Sequence, residues 1–245
     1  VSWTRPYYQP GGGEPSLLWV VFGDFEPLRL DPAVHRTRGL PDGISLRSVD
    51  RAAVDFPDFL TRDLLGDRLD AELPDLADEV RHAPAVRVLE GAPGPAARMD
   101  WLSAVVGVTV ALLERGGVAV VDPVALRWWS EDALRDALFD VPTLDPHAVV
   151  RRFASIEPSG TWWMRTRGMR LFGRPDVSLR GVHPDDRAAA EEVLGRLVSA
   201  QAAGAVVPAD QVVAWEGRAW RCRAAGAPDD PDFLNVHLAL EEVSP

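Results

Sequence analysis

Two helical stretches, each set among short strand-like runs, constrain this chain more than any other feature. Residues 99–115 carry Leu102, Val105, Val106, Val110 and Leu113 at helical spacing. Asp100 sits in the first turn, and Gly116-Gly117 forms the stop. Residues 184–203 repeat the plan. Pro184 suits the first helical position, Asp185 and Asp186 suit the positive end of the helix dipole, and Val193, Leu194, Leu197, Val198 and Gln201 mark one face before Gly204. Around these helices lie short runs with strand character. They are the apolar run at 17–22, the alternating run at 44–49, then 85–89, 118–121, 148–156, 161–167, 176–182, 211–215, 218–224 and 233–241, with Glu216-Gly217 as a hairpin turn. Ser130 reads as the N-cap of a short helix. Strands that pair locally with a few long helices predict an α+β fold of mostly antiparallel sheets, without the regular alternation of a doubly wound parallel sheet.

The break Val141-Pro142-Thr143-Leu144-Asp145-Pro146 divides the chain. It predicts an N-terminal α+β lobe over 16–141 and a C-terminal α+β lobe over 147–245, and the breaker Pro10-Gly11-Gly12-Gly13-Glu14-Pro15 marks a flexible leader over 1–15. The two lobes could be similar α/β sandwiches, or the whole could be one compact domain. With 47% hydrophobic residues in 245, either arrangement has enough apolar side chain for a core.

Charge and residue usage exclude several chemistries. The formal net charge is -11, so the overall field repels nucleic acid and anionic membrane, and neither is expected as a partner. All 26 cationic residues are arginine. A lysine-dependent P-loop, a pyridoxal Schiff base and a protein-kinase site are therefore absent in standard form. The single cysteine, Cys222, excludes an internal disulfide and a cysteine-rich metal site. It lies in an alternating run and reads as a small buried hydrophobe, with a thiolate lowered by Arg221 and Arg223 as the other reading. His35, His82, His147, His183 and His237 show no helical pair spacing, so no metal or cofactor is expected. The apolar run 101–113 is too short to span a bilayer, which takes about twenty residues. Residues 1–15 lack the basic-then-apolar order of a signal peptide, and a cytoplasmic location is expected.

One segment is poorly explained by core packing. Residues 162–176, Trp-Trp-Met-Arg-Thr-Arg-Gly-Met-Arg-Leu-Phe-Gly-Arg-Pro-Asp, set aromatics and four arginines into an acidic protein. As a strand, 162–167 would put Trp162, Met164 and Thr166 on one side and Trp163, Arg165 and Arg167 on the other. Gly168 and Gly173 mark turns, and Arg174 before proline must be extended. The candidate binding residues are Trp163, Arg165, Arg167, Arg170, Arg174, Asp176 and His183. Two readings stand side by side. In one, the arginines knit a turn-rich sheet edge to some of the chain's 37 acidic residues. In the other, they converge, with Arg180, on an anion or an acidic protein surface.

The run Trp163 to Asp176, together with Val118-Ala119-Val120-Val121-Asp122-Pro123 leading into Trp128-Trp129-Ser130, resembles a motif of uncharacterised bacterial proteins in domain-of-unknown-function families. The resemblance covers about the central half of the chain. It implies a shared fold and brings no activity. No nucleophile elbow or dinucleotide fingerprint is present. The expectation is therefore a soluble non-catalytic binding, adaptor or immunity-type protein meeting a protein partner or small anionic ligand through 162–180. The alternative is an enzyme on a small phosphate- or carboxylate-bearing substrate, with the arginines as clamp and His183 or Asp176 moving a proton.

Overall fold

A computed structural model describes residues 3–215 and 217–243. The expected hairpin turn at Glu216-Gly217 therefore lies partly outside the described residues, as do the first two residues of the expected leader. The fold is α+β with two sheets, and the chain divides into two compact units. The first comprises residues 1–4, 16–94 and 98–148; the second comprises 5–15, 95–97 and 149–245.

The first unit holds strands Leu17–Gly23 (β1), Ile44–Asp50 (β2), Ala85–Gly91 (β3), Gly117–Asp122 (β4) and Arg127–Trp129 (β5), in the order β2-β3-β1-β4-β5 and antiparallel throughout. Its helices are Pro32–His35 (α1), Asp63–Glu72 (α2), Ala77–His82 (α3), Asp100–Leu113 (α4) and Glu131–Leu134 (α5). β1 lies at the sheet centre and is apolar on both faces, as its unbroken run requires. Val20, Phe22, Val88, Val121 and Trp128 pack with Leu69 of α2, Leu73 just past its end and Val80 of α3. α4 lies against β1 and β4 and is buried almost all round, which matches its apolar composition. Gly107 is required there, because a Cβ at that position would stand 2.0 Å from the His35 carbonyl oxygen. Ser130 caps α5 by accepting from Ala133 N, as its position predicts.

Pro146–Val149 (α6) leads into the second unit. This unit has strands Arg151–Ile156 (β6), Trp162–Arg167 (β7), Asp176–Val182 (β8), Val212–Trp215 (β9), Arg218–Ala225 (β10) and His237–Glu242 (β11), and one long helix, Arg187–Ala202 (α7). The order is β6-β7-β8-β11-β10-β9, antiparallel except for the β8–β11 pair. α7 covers one face. Val193, Leu194 and Leu197 meet Met164, Val177, Leu179, Trp220, Cys222, Leu238 and Leu240. These strand residues alternate, so the intervening ones face the other way. Cys222 is a core residue, and burial pushes its thiol up, which keeps it protonated and inert. The last strand starts at His237, not at 233 as its apolar residues suggested. The Asp230 carbonyl accepts from Phe233 N and Leu234 N, and Leu234 takes φ 53°, so 230–234 is a turn. Among the described residues no helix is long and apolar enough to cross a membrane.

Candidate functional site

Helix ends leave carbonyls without donors. At the C-terminal end of α7, two arginines supply them. Arg5 donates from Nε to Ala202 O at 3.0 Å and from Nη2 to Gln201 O at 3.1 Å. Arg174 donates to Ala205 O at 2.9 Å and Gly204 O at 2.8 Å, and its remaining bonds go to Gln9 O, Gly11 O and Gly173 O. Its guanidinium thus meets five backbone carbonyls and is 2% exposed. Cations placed there also complement the negative end of the helix dipole. Burial, with Arg174 alongside, lowers Arg5 to about 10, so it stays charged at neutral pH. Residues 5–15, read from sequence as a leader, make further backbone bonds in this unit: Tyr7 N to Ala203 O at 2.9 Å and Gln9 N to Gly204 O at 3.0 Å.

Asp176 is a second structural bracket. It is fully buried and accepts from Thr166 Oγ1 at 2.9 Å, Met169 N at 3.3 Å and Asn235 Nδ2 at 2.9 Å. Thr166 Oγ1 in turn accepts from Val177 N at 2.8 Å. The bracket joins β7, β8 and the short 3-10 turn Met169–Phe172, which Gly168 (φ 113°) and Gly173 (φ 60°) flank. Burial pushes the Asp176 carboxyl up to about 7. The bonds from Asn235, Thr166 and Met169 and the charge of Arg167 pull it the other way.

The other end of the segment is arranged differently. Pairing of β6 with β7 sets Phe153 opposite Arg165 and Ser155 opposite Trp163, on the sheet face turned away from α7. Trp163 is flanked by two guanidinium groups. Arg165 lies 4.0 Å and Arg180 lies 3.8 Å from its ring centroid, and Arg165 also stands 5.8 Å from Phe153. Among the described residues each cation meets one carboxylate, Asp232 at 3.7 Å from Arg165 and Glu157 at 2.7 Å from Arg180, and Arg165 also donates from Nη1 to Ser155 Oγ at 3.3 Å. Burial lowers the Arg165 guanidinium, Asp232 raises it, and Arg180 adds to the lowering. Glu157 is held below its usual range by the Gly181 amide and by Arg180. The Trp163 ring also meets Phe233 edge-on at 6.2 Å, and Phe233 stacks on His237 at 4.0 Å. Among the described residues, Trp163 Nε1, Arg165 Nε and His237 Nδ1 are all buried without a hydrogen-bond partner. Burial also lowers His237 and keeps its imidazole neutral at physiological pH. Beside it, Arg174, Val207, Gly226 and Leu238 help line an open pocket of about 380 Å³.

The seven sequence candidates therefore separate. Trp163 and Arg165 come together. Arg167 is buried, donates to Pro231 O at 3.5 Å and lies near Asp176; Arg170 donates to Leu234 O at 3.2 Å. Arg174 and Asp176 are brackets of the fold. His183 is exposed at the start of the 3-10 turn Pro184–Asp186 and stands 3.4 Å from an Asp185 carboxylate oxygen. Sequence reasoning named Arg180 as able to converge but passed over Phe153, Phe233 and His237. Phe153 was legible from the strand period once β6 and β7 are paired; Phe233 was hidden by its strand-like neighbours. Among the described residues no three His, Cys, Asp or Glu side chains are grouped to hold a metal ion.

No protein-family model, curated protein or solved structure matches this chain.

Proposed function

We propose that this is a non-catalytic binding protein, of adaptor or immunity type, whose second unit engages an acidic partner surface through Trp163, Arg165, Arg180 and Phe153. One observation carries the reading: a single indole flanked by two guanidinium groups at 4.0 and 3.8 Å, with buried unpaired N–H groups on Trp163 and Arg165. Trp and Arg are the side chains that dominate interface energetics. The planar guanidinium fork suits carboxylates, and a cation held on an aromatic face loses less freedom when it meets one. The Arg180 side chain is 61% exposed and so reachable. An enzyme clamping a small anion would draw on Arg165, Arg167, Arg170 or Arg174, and the last three heads already donate to backbone carbonyls. Calorimetry with an oligoglutamate peptide tests the reading. The peptide should bind wild type, weaken as salt rises, and lose about tenfold or more in affinity with Arg180→Ala. Absence of binding, or equal affinity in the variant, would overturn it.

A further inference from the structure

The connection between β10 and β11, residues 226–236, is Gly-Ala-Pro-Asp-Asp-Pro-Asp-Phe-Leu-Asn-Val. It forms no strand or helix, and its two prolines withhold amide donors. Its tip is exposed, yet Phe233 is 1% exposed, set between His237 and the edge of Trp163. The next residue back, Asp232, supplies the carboxylate nearest Arg165. Arg167 and Arg170 hold the carbonyls of Pro231 and Leu234. In this position the segment covers polar atoms without completing their bonds. The three unpartnered atoms, on Trp163, Arg165 and His237, belong to side chains that Phe233 or Asp232 contacts. Buried donors left unmade are costly, and native structures tolerate few of them. The Asp232 contact is a single one at 3.7 Å from a half-exposed side chain, and it does not engage Arg165 Nε. A carboxylate approaching the fork side-on would take Nε and Nη2 together, which is the stronger geometry.

We propose that residues 228–233 form a strap whose Asp232 and Phe233 occupy the place of a partner segment, while residues 234–236 stay held by Arg170, the Asp176 carboxylate and the Asp176 amide, and that the partner is a peptide presenting an acidic residue directly before an aromatic one. The strap lifts, the partner's aromatic ring takes the Phe233 position between His237 and Trp163, and its carboxylate takes the Arg165 fork. The proposal rests on the binding-face reading above and names what that face recognises.

The probe is a capped synthetic peptide with the sequence of residues 228–235, titrated into the full chain and followed by calorimetry. Wild type should bind it weakly, because the strap competes. Asp232→Ala, at a half-exposed side chain, should keep the fold and raise the affinity about tenfold; Phe233→Ala should raise it further where that chain folds. A peptide with Asp232→Asn or Phe233→Ala should lose the gain, and Arg165→Met should abolish binding in every background. Equal affinity of wild type and Asp232→Ala for the peptide would overturn the strap. If oligoglutamate still binds in an Arg180-dependent way in that case, the strap fails and the binding face stands. If neither probe binds any chain, both fail.

Discussion

Arg174 and Arg180 stand six positions apart and are chemically identical, yet the second unit uses them in opposite ways. Arg174 is enclosed, and its guanidinium meets five backbone carbonyls from the end of α7, residues 9 and 11, and its own turn. Arg180 is largely exposed, meets one carboxylate, and lies over an indole that Arg165 also flanks. The contrast between these ends of one arginine-rich run shows what separates a structural cation from an available one. Residue type does not decide it; the supply of fixed acceptors does. Backbone carbonyls at a helix end cannot move away, so Arg174 is committed. Arg180 is a largely exposed side chain with a single carboxylate contact, so it is free to change partners.

Substitutions along the run should break or sharpen this contrast. Arg174→Ala has the largest expected effect. It strands several buried carbonyls and should cost at least about 4 kcal/mol in denaturant unfolding, or prevent folding. A loss under about 1 kcal/mol, in the range of an exposed pair, would erase the distinction. Next is Asp176, whose pH dependence has a definite sign. Its folded-state value of about 7 lies above the ordinary 3.8, so the native state holds the proton more tightly than the unfolded chain. Its stabilising contribution is complete below about pH 4 and is lost as pH rises through 7, by up to roughly 4 kcal/mol. Urea midpoints measured across that window should fall more steeply for wild type than for Asp176→Asn; parallel curves would contradict it. Thr166→Val removes a hydroxyl that donates to Asp176 and accepts from Val177 N, and should cost about 1–3 kcal/mol. Arg180→Ala is expected to be the mildest for stability, within about 1 kcal/mol, because the Arg180 side chain is largely open to solvent.

Much of this arrangement was legible in the sequence. The alternation of 162–167 placed Trp163, Arg165 and Arg167 on the side away from Met164, and the β6–β7 register bears that out. Pro184, its acids and the 193–198 stripe marked α7 nearly to the residue. Most of what stayed hidden depends on contacts distant in sequence, and the rest on a local turn. Arg5 looks like any residue of a Pro- and Gly-rich opening, because the carbonyls it caps lie 196 and 197 positions away. Arg165 lies in a strand run and Arg174 in a Gly–Pro turn, but neither setting tells whether the guanidinium ends as a carbonyl clamp or as a cation on a ring. Phe233 was read into a strand because Phe, Leu and Val suit one, whereas the Asp230 carbonyl captures the amides of 233 and 234 in a turn.

The most direct measurement follows the indole N–H resonance of Trp163, identified by its loss in Trp163→Phe, while oligoglutamate is added. If the available end of the run is the binding face, this signal shifts to saturation in wild type and needs at least about ten times more peptide to do so in Arg180→Ala. A peptide that binds while the Trp163 signal does not move would place recognition elsewhere and contradict the account.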